Sequence, residues 1–306
     1  MTALSTATDS RFGILMMLGG MTLFTVNDAL GKWLVADYPV AMLLAVRSLF
    51  GSAILLPMIR REGVRAVFAV RRLPMHLVRV LLVTVDIACF YWAVNFLPLA
   101  DVMTIYMAAP LIVTALSVLF LGETVGWRRW AAVLTGFVGV VVVLNPTGQF
   151  DPLPSLVALL GATIFSAGLI LTRLLRGAGN LSLISYQTLG GLALGAAALP
   201  VAWTTPGWLV PDGLDFLLLG LLGVTALAGH ALMNRSLQLS PAAVVVPFQY
   251  VSILWAILLD VLVWGTPPTL RVGLGGALII GSGLFIFYRE QRLQRGAAAG
   301  TTAEPV

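Results

Sequence analysis

Between Phe12 and Tyr288 the sequence is a nearly unbroken series of apolar stretches of roughly 18 to 24 residues, and ten of them fit. At about 1.5 Å of rise per residue, each stretch matches a hydrocarbon layer ~30 Å thick. With 59% hydrophobic and 10% charged residues, the chain has too few charges to solvate a soluble domain of 306 residues. The stretches are also too long for strands of a membrane barrel and lack two-residue alternation. The expected fold class is therefore all-α: a polytopic membrane protein of ten transmembrane helices.

The spans fall near 12–34, 39–59, 74–97, 100–121, 129–145, 153–173, 183–203, 214–237, 242–263 and 271–288. Their connections are short and marked by proline or glycine, as at Pro39, Pro98, Gly122, Pro146 and Pro267-Pro268, so no extramembrane domain is expected. The first stretch exceeds the 7 to 15 residues of a signal-peptide core and is read as a retained span. Basic residues set the orientation. With the N-terminus inside, Arg11, the Arg60 to Arg72 cluster, Arg128, Arg129, Arg173, Arg176, Arg235, Arg289, Arg292 and Arg295 all lie inside, leaving Lys32 and Arg271 outside. Both termini are thus expected in the cytoplasm of a bacterium, with the chain in its inner membrane. The Arg60 to Arg72 cluster reads as a loop touching anionic lipid headgroups, not as a nucleic-acid patch. Cys89 is the only cysteine, so no disulfide forms within the chain and the default role of Cys89 is packing.

An internal repeat organises the series. Tyr106 to Pro110, Phe120 to Thr124, Trp127 to Arg129 and Gly136/Gly139 have counterparts in Pro247 to Tyr250, Trp264 to Pro267, Arg271 and Gly276 to Gly283. Phe24-Thr25 to Gly31-Lys32 likewise parallels Phe165-Ser166 to Thr172-Arg173. The expected organisation is a tail over 1–11, a first five-helix repeat over 12–145, a second over 153–288 and a basic tail over 289–306. Because five is odd, the second repeat enters from the opposite side. Inverted repeats of this kind give secondary transporters two interchangeable gates around a midplane site.

At the residues Phe120 to Trp130, Arg47-Ser48, Pro247-Phe248-Gln249-Tyr250 and Trp255-Ala256 the chain resembles the EamA-type, ten-helix members of the drug/metabolite transporter superfamily, and among them bacterial aromatic amino-acid exporters. The second repeat departs from the pattern at the Glu123 counterpart, where Gly265-Thr266-Pro267 stands. The resemblance implies a cavity between the halves lined by spans one, three, four, six, eight and nine, moving walls at spans two and seven, and a periphery of spans five and ten.

An ionisable side chain inside a bilayer costs at least ~2.5 kcal/mol, so each needs a partner or water. Asp28 and Arg47 reach similar depth on adjacent antiparallel spans and are expected to form an ion pair, either a static neutralisation or an outer gate. Asp86, near the middle of span three, is a candidate proton-coupling group or a carboxyl permanently hydrogen-bonded to a neighbouring helix. Arg79 snorkels to the cytoplasmic interface and Asp260 lies near the outer one. Thr84, Tyr91 and Asn95 form one stripe with Ala88, and Tyr106, His230, Asn234, Gln249 and Tyr250 add polar groups from other spans. These could hold the two ends of a zwitterion, while Tyr91, Trp92, Tyr106, Tyr250 and Trp255 sandwich an apolar or aromatic side chain.

No carboxylate triad accompanies His76 and His230, so no metal is expected; the paired glycines sit inside apolar helices and read as packing sites, not phosphate loops. Without a Walker lysine, a nucleophile elbow or paired hydrolytic carboxylates, no enzyme activity, cofactor or direct use of ATP is expected. The expected function is secondary export of small metabolites, most of all aromatic or apolar amino acids, by alternating access. The alternative substrates are a nucleotide-like cofactor or a hydrophobic drug, with an intramembrane enzyme or sensor as the remote alternative. The expected partners are a small-molecule substrate and membrane lipids.

Overall fold

The computed structural model describes residues 2–109, 111–113, 115–116, 127–144, 152–175, 178–204, 209–239 and 246–301. Their regular structure is entirely helical: α1 (Thr2–Val35), α2 (Val40–Glu62), α3 (Val64–Phe68), α4 (Leu73–Val94), α5 (Leu99–Tyr106), α6 (Trp127–Leu144), α7 (Pro152–Leu174), α8 (Asn180–Trp203), α9 (Gly213–Leu239), a 3-10 turn (Val246–Tyr250), α10 (Val251–Trp264) and α11 (Leu270–Thr301). Six of these helices are long and apolar enough to cross a bilayer, and four shorter apolar helices complete the expected ten: Leu99–Val113, Trp130–Val143, Phe248–Trp264 and Leu270–Phe285. The Glu123 motif lies outside the described residues.

Prolines mark the helix starts, where a missing N–H is harmless. Pro39 and Pro98 cap α2 and α5 in extended conformation, and Pro74 and Pro152 occupy the first turns of α4 and α7. Span four, expected as one helix, is broken: α5 stops at Tyr106 and the chain turns at Met107-Ala108. Pro110 accounts for this, because it has no N–H to give the Tyr106 carbonyl and its ring excludes that turn. Span nine is irregular too, opening as a 3-10 turn before it becomes α-helical at Val251. At its far end Gly265 adopts a left-handed conformation (φ 66°), so that Gly265 N–H donates to the Val261 carbonyl and Thr266 N–H to the Asp260 carbonyl. A further difference is α3, which folds part of the basic loop into a helical turn held by the Tyr186 hydroxyl donating to the Phe68 carbonyl at 3.0 Å.

Neighbouring helices pair as α1 with α9, α4 with α7, α2 with α8, and α6 with α11, with further contacts of α1 and α5 against α10 and of α5 against α7. Exchanging α1, α2, α4, α5 and α6 for α7, α8, α9, α10 and α11 maps these pairs onto one another. The α6–α11 pair sits at the edge and packs through glycines: a Cβ on Gly139 would come within 2.7 Å of the Gly275 carbonyl, so backbone meets backbone there. The buried core runs through Leu34, Leu43, Tyr91, Leu99, Ile105, Leu219 and Leu222, while large apolar residues such as Leu81, Leu254, Leu262 and Leu270 face outward, the inverse of what water would tolerate.

Candidate functional site

Four helices carry a polar relay through the apolar core. Arg47 on α2 donates to the Tyr91 hydroxyl on α4 at 3.2 Å, Tyr91 donates to Asn27 Oδ1 on α1 at 3.3 Å, and Asn27 Nδ2 donates to the Leu222 carbonyl at 2.7 Å and to Thr225 Oγ1 at 2.9 Å, both on α9. Tyr91 is 1% exposed and fits because Gly31 leaves no side chain where its ring lies. Each hydroxyl in the chain both accepts and donates, which polarises the series and strengthens its members. The Arg47 guanidinium also stands 6.0 Å from the centre of the Tyr91 ring.

A second polar pair lies beside the first. Tyr106, the last residue of α5 before its break, donates from its hydroxyl to Asp86 Oδ1 on α4 at 2.8 Å. Its ring approaches α7 over Gly161, where a Cβ would overlap the hydroxyl and lie 2.9 Å from Cys89 Cβ. Asp86 is 6% exposed. Its carboxyl thus has a hydrogen-bonding partner on a neighbouring helix.

Asp28 differs from both. It is half-buried on α1, within electrostatic reach of the Arg47 guanidinium and of Asp86, yet no described residue gives it a hydrogen bond or an ion pair. The direct Asp28–Arg47 salt bridge expected from equal depth is therefore absent in this conformation: Arg47 is turned to Tyr91, and two opposite charges stand near each other without contact. His230 on α9 keeps exposed surface although Arg47 and Arg79 both act on it electrostatically, so that surface faces the space between the helices. Its Nδ1 pairs with the Ala226 carbonyl at 2.8 Å, which leaves Nε2 to that space.

Aromatic rings wall the same region. Phe24 meets His230 edge-on at 4.7 Å, Phe90 meets Tyr91 at 5.5 Å and Tyr106 at 5.3 Å, and Phe165 lies 6.3 Å from Tyr106. Phe24 and Phe165 were matched by the internal repeat, a signal that could have nominated them. Asn27 was overlooked beside its charged neighbour, and Thr225 carried no signal beyond being polar within a span.

Other candidates lie elsewhere. Asn95 is exposed at the C-terminal end of α4, and Thr84 is buried with an unpartnered hydroxyl. The Tyr250 hydroxyl is directed at Gly283 on α11, and Trp255 is 37% exposed with no polar partner. Gln249 is half-buried in the 3-10 turn, its carbonyl accepting from the Ser252 hydroxyl at 2.8 Å. The Asn234 side chain lies outside the described residues. A groove lined by Trp127, Thr135, Ser282 and Phe285 opens between α6 and α11 and includes none of the expected site residues in its lining.

Two corrections concern charged residues assigned to interfaces. Arg79 does not simply snorkel: its Nε donates to Thr172 Oγ1 at 2.7 Å and its NH1 to the Leu183 carbonyl at 3.2 Å, binding α4 to α7 and α8. Asp260, expected at the interface, is 1% exposed and accepts from Lys32 Nζ at 2.9 Å, from Leu99 N at 3.0 Å and from Ala100 N at 2.6 Å.

The sequence is 29% identical to a riboflavin transporter of Vibrio cholerae over 92% of this chain and 95% of that protein. It is 26% identical to an S-adenosylmethionine uptake transporter of Rickettsia felis, covering 92% and 94% of the two chains, and 26% identical to a pseudopaline exporter of Pseudomonas aeruginosa, covering 88% and 94%. A solved crystal structure superposes with a TM-score of 0.65 at 20% identity, over 92% of this chain and 98% of the other, which shows a shared fold. The profile of the EamA-like transporter family matches residues 11–145 and 153–288. This chain is a multi-pass membrane protein of the EamA-like transporter family, within the drug/metabolite transporter superfamily, and its relatives mark it as a carrier of small metabolites.

Proposed function

We propose that the chain is a secondary transporter of a zwitterionic metabolite with an aromatic ring, the aromatic amino acids first among them, working by alternating access between two inverted repeats over 12–145 and 153–288. The observation that carries this reading is the separation of Asp28 from Arg47. A salt bridge between them would consume both charges. Held apart, they present a carboxylate for an ammonium and a guanidinium for a carboxylate, each worth more in a water-poor cavity than in solution. Phe24, Phe90, Tyr106 and Phe165 then supply aromatic walls for the ring. The helix pairing that maps onto itself supports the inverted halves, and the basic residues support cytoplasmic termini in a bacterial inner membrane.

A second reading is favoured by the relatives named for riboflavin and S-adenosylmethionine. Both compounds carry a fused heteroaromatic ring that the same walls would accept. Counterflow in proteoliposomes separates the two readings. Saturable exchange of labelled phenylalanine or tryptophan, lost in Asp28→Asn and in Arg47→Gln, is the expected result. Exchange of riboflavin with neither amino acid moves the assignment to the second reading, and exchange of none of the three refutes both.

A further inference from the structure

Lys32 and Asp260 form the one salt bridge among the described residues, and its surroundings are unusual for a charged pair. Asp260 belongs to α10, but every group its carboxylate binds belongs to α1 or α5: the Lys32 ammonium and the first two backbone N–H groups of α5. Those N–H groups have no acceptor within their own helix, and the N-terminal end of a helix favours negative charge, so the carboxylate caps α5 from another helix. Lys32 lies 4.3 Å above the Trp264 ring, one turn beyond Asp260, which holds it a second time against α10. The Gly265 turn fixes the Asp260 carbonyl through Thr266. Beside this cluster the Tyr38 hydroxyl donates to Asp215, another contact from the first half of the sequence to the second.

Moving α10 away from α1 and α5 breaks the three carboxylate bonds and the Lys32–Trp264 contact in one step. Such an all-or-none contact suits a two-state element. It is also one-sided. Aligning Phe24-Thr25 with Phe165-Ser166 places Lys32 opposite Arg173, whereas aligning Gly122 with Gly265 places Asp260 opposite Ser117, so the repeat supplies the cation twice and the carboxylate once.

We infer that Asp260, gripping Lys32 and the α5 N-terminus, is the latch that closes the transport pathway at the Lys32 end of the helices, and that transport requires its release. The inference rests on alternating access but not on which substrate is carried. Its test therefore uses no substrate. In a Cys89→Ala background, His230→Cys supplies a thiol facing the central space, and a membrane-impermeant maleimide is applied to proteoliposomes from the Lys32 side. Asp260→Asn should raise the labelling rate at least tenfold. Lys32→Met leaves both backbone bonds to Asp260 in place, so it stands in should the first variant fail to fold, and it should raise labelling in the same direction. Equal rates with the latch intact and broken, in variants that elute as monodisperse protein, overturn the inference whether or not amino-acid counterflow is observed.

Discussion

Adding one methyl group to Gly161 tests whether Tyr106 is held against Asp86 by the packing of α7. The Cβ would overlap the Tyr106 hydroxyl, which donates to Asp86 Oδ1 at 2.8 Å, and would lie 2.9 Å from Cys89 Cβ. Overpacking costs about 1–3 kcal/mol, and alanine in place of glycine returns about 0.5–1 kcal/mol in a helix interior. Gly161→Ala should therefore destabilise by about 0–2.5 kcal/mol. Tyr106→Phe removes the hydroxyl donor and leaves a buried carboxyl without its partner, costing about 1.5–3 kcal/mol. The informative variant carries both changes: with no hydroxyl to strike, the added methyl group loses its worst contact, and the pair should cost about 1 kcal/mol less than the sum of the single changes. Reversible unfolding in mixed detergent and SDS micelles reads the four free energies directly. Additivity to within about 0.5 kcal/mol would show that Gly161 does not position Tyr106 and would refute the packing argument.

Because no described residue hydrogen-bonds or ion-pairs with Asp28, Asp28→Asn should leave the unfolding free energy unchanged or raise it by up to ~2.5 kcal/mol, while raising the counterflow KM for phenylalanine at least tenfold; a loss of stability would show a partner beyond the described residues. Tyr250→Phe should keep transport within twofold of the parent, since that hydroxyl is directed at Gly283 on α11, and a tenfold loss would place Tyr250 in the pathway after all. The hydrogen bond to Asp215 pushes the Tyr38 phenol up to about 12. With a folded value above the ordinary value of about 10, the folded chain holds this proton more tightly, so the stability it lends is full below pH 10 and is lost as the pH rises from 10 to 12. Tyr38→Phe should flatten the stability profile in that window, and an unchanged slope would exclude the contact.

The spans were legible because a bilayer admits few solutions: runs of about twenty apolar residues and the asymmetry of arginines leave little freedom. The break in span four was less so, although Pro110 announces it, because proline is tolerated within membrane helices and does not by itself say that a helix stops. The site was half legible. Asp28, Arg47, Asp86, Tyr91, Tyr106 and His230 stood out as polar groups within spans, and the structure gathers them. Which of them touch was not readable, since depth along a helix does not fix rotation about it: Arg47 met Tyr91 instead of Asp28. The same ambiguity applies to Tyr250, expected in an aromatic cage, whose hydroxyl is directed at Gly283. Asp260 was placed at the interface because its partners are 228 and about 160 residues away in sequence, and two of them are backbone groups with no side-chain signature.

The edge pair α6 and α11 meets backbone to backbone at Gly139 and Gly275. Lipid tails are as apolar as the side chains of these helices, so no hydrophobic force holds the pair together in a bilayer and close approach has to carry it. A side chain larger than glycine at either position would therefore loosen the joint between the last helices of the two family-matched segments without touching a single polar group of the core.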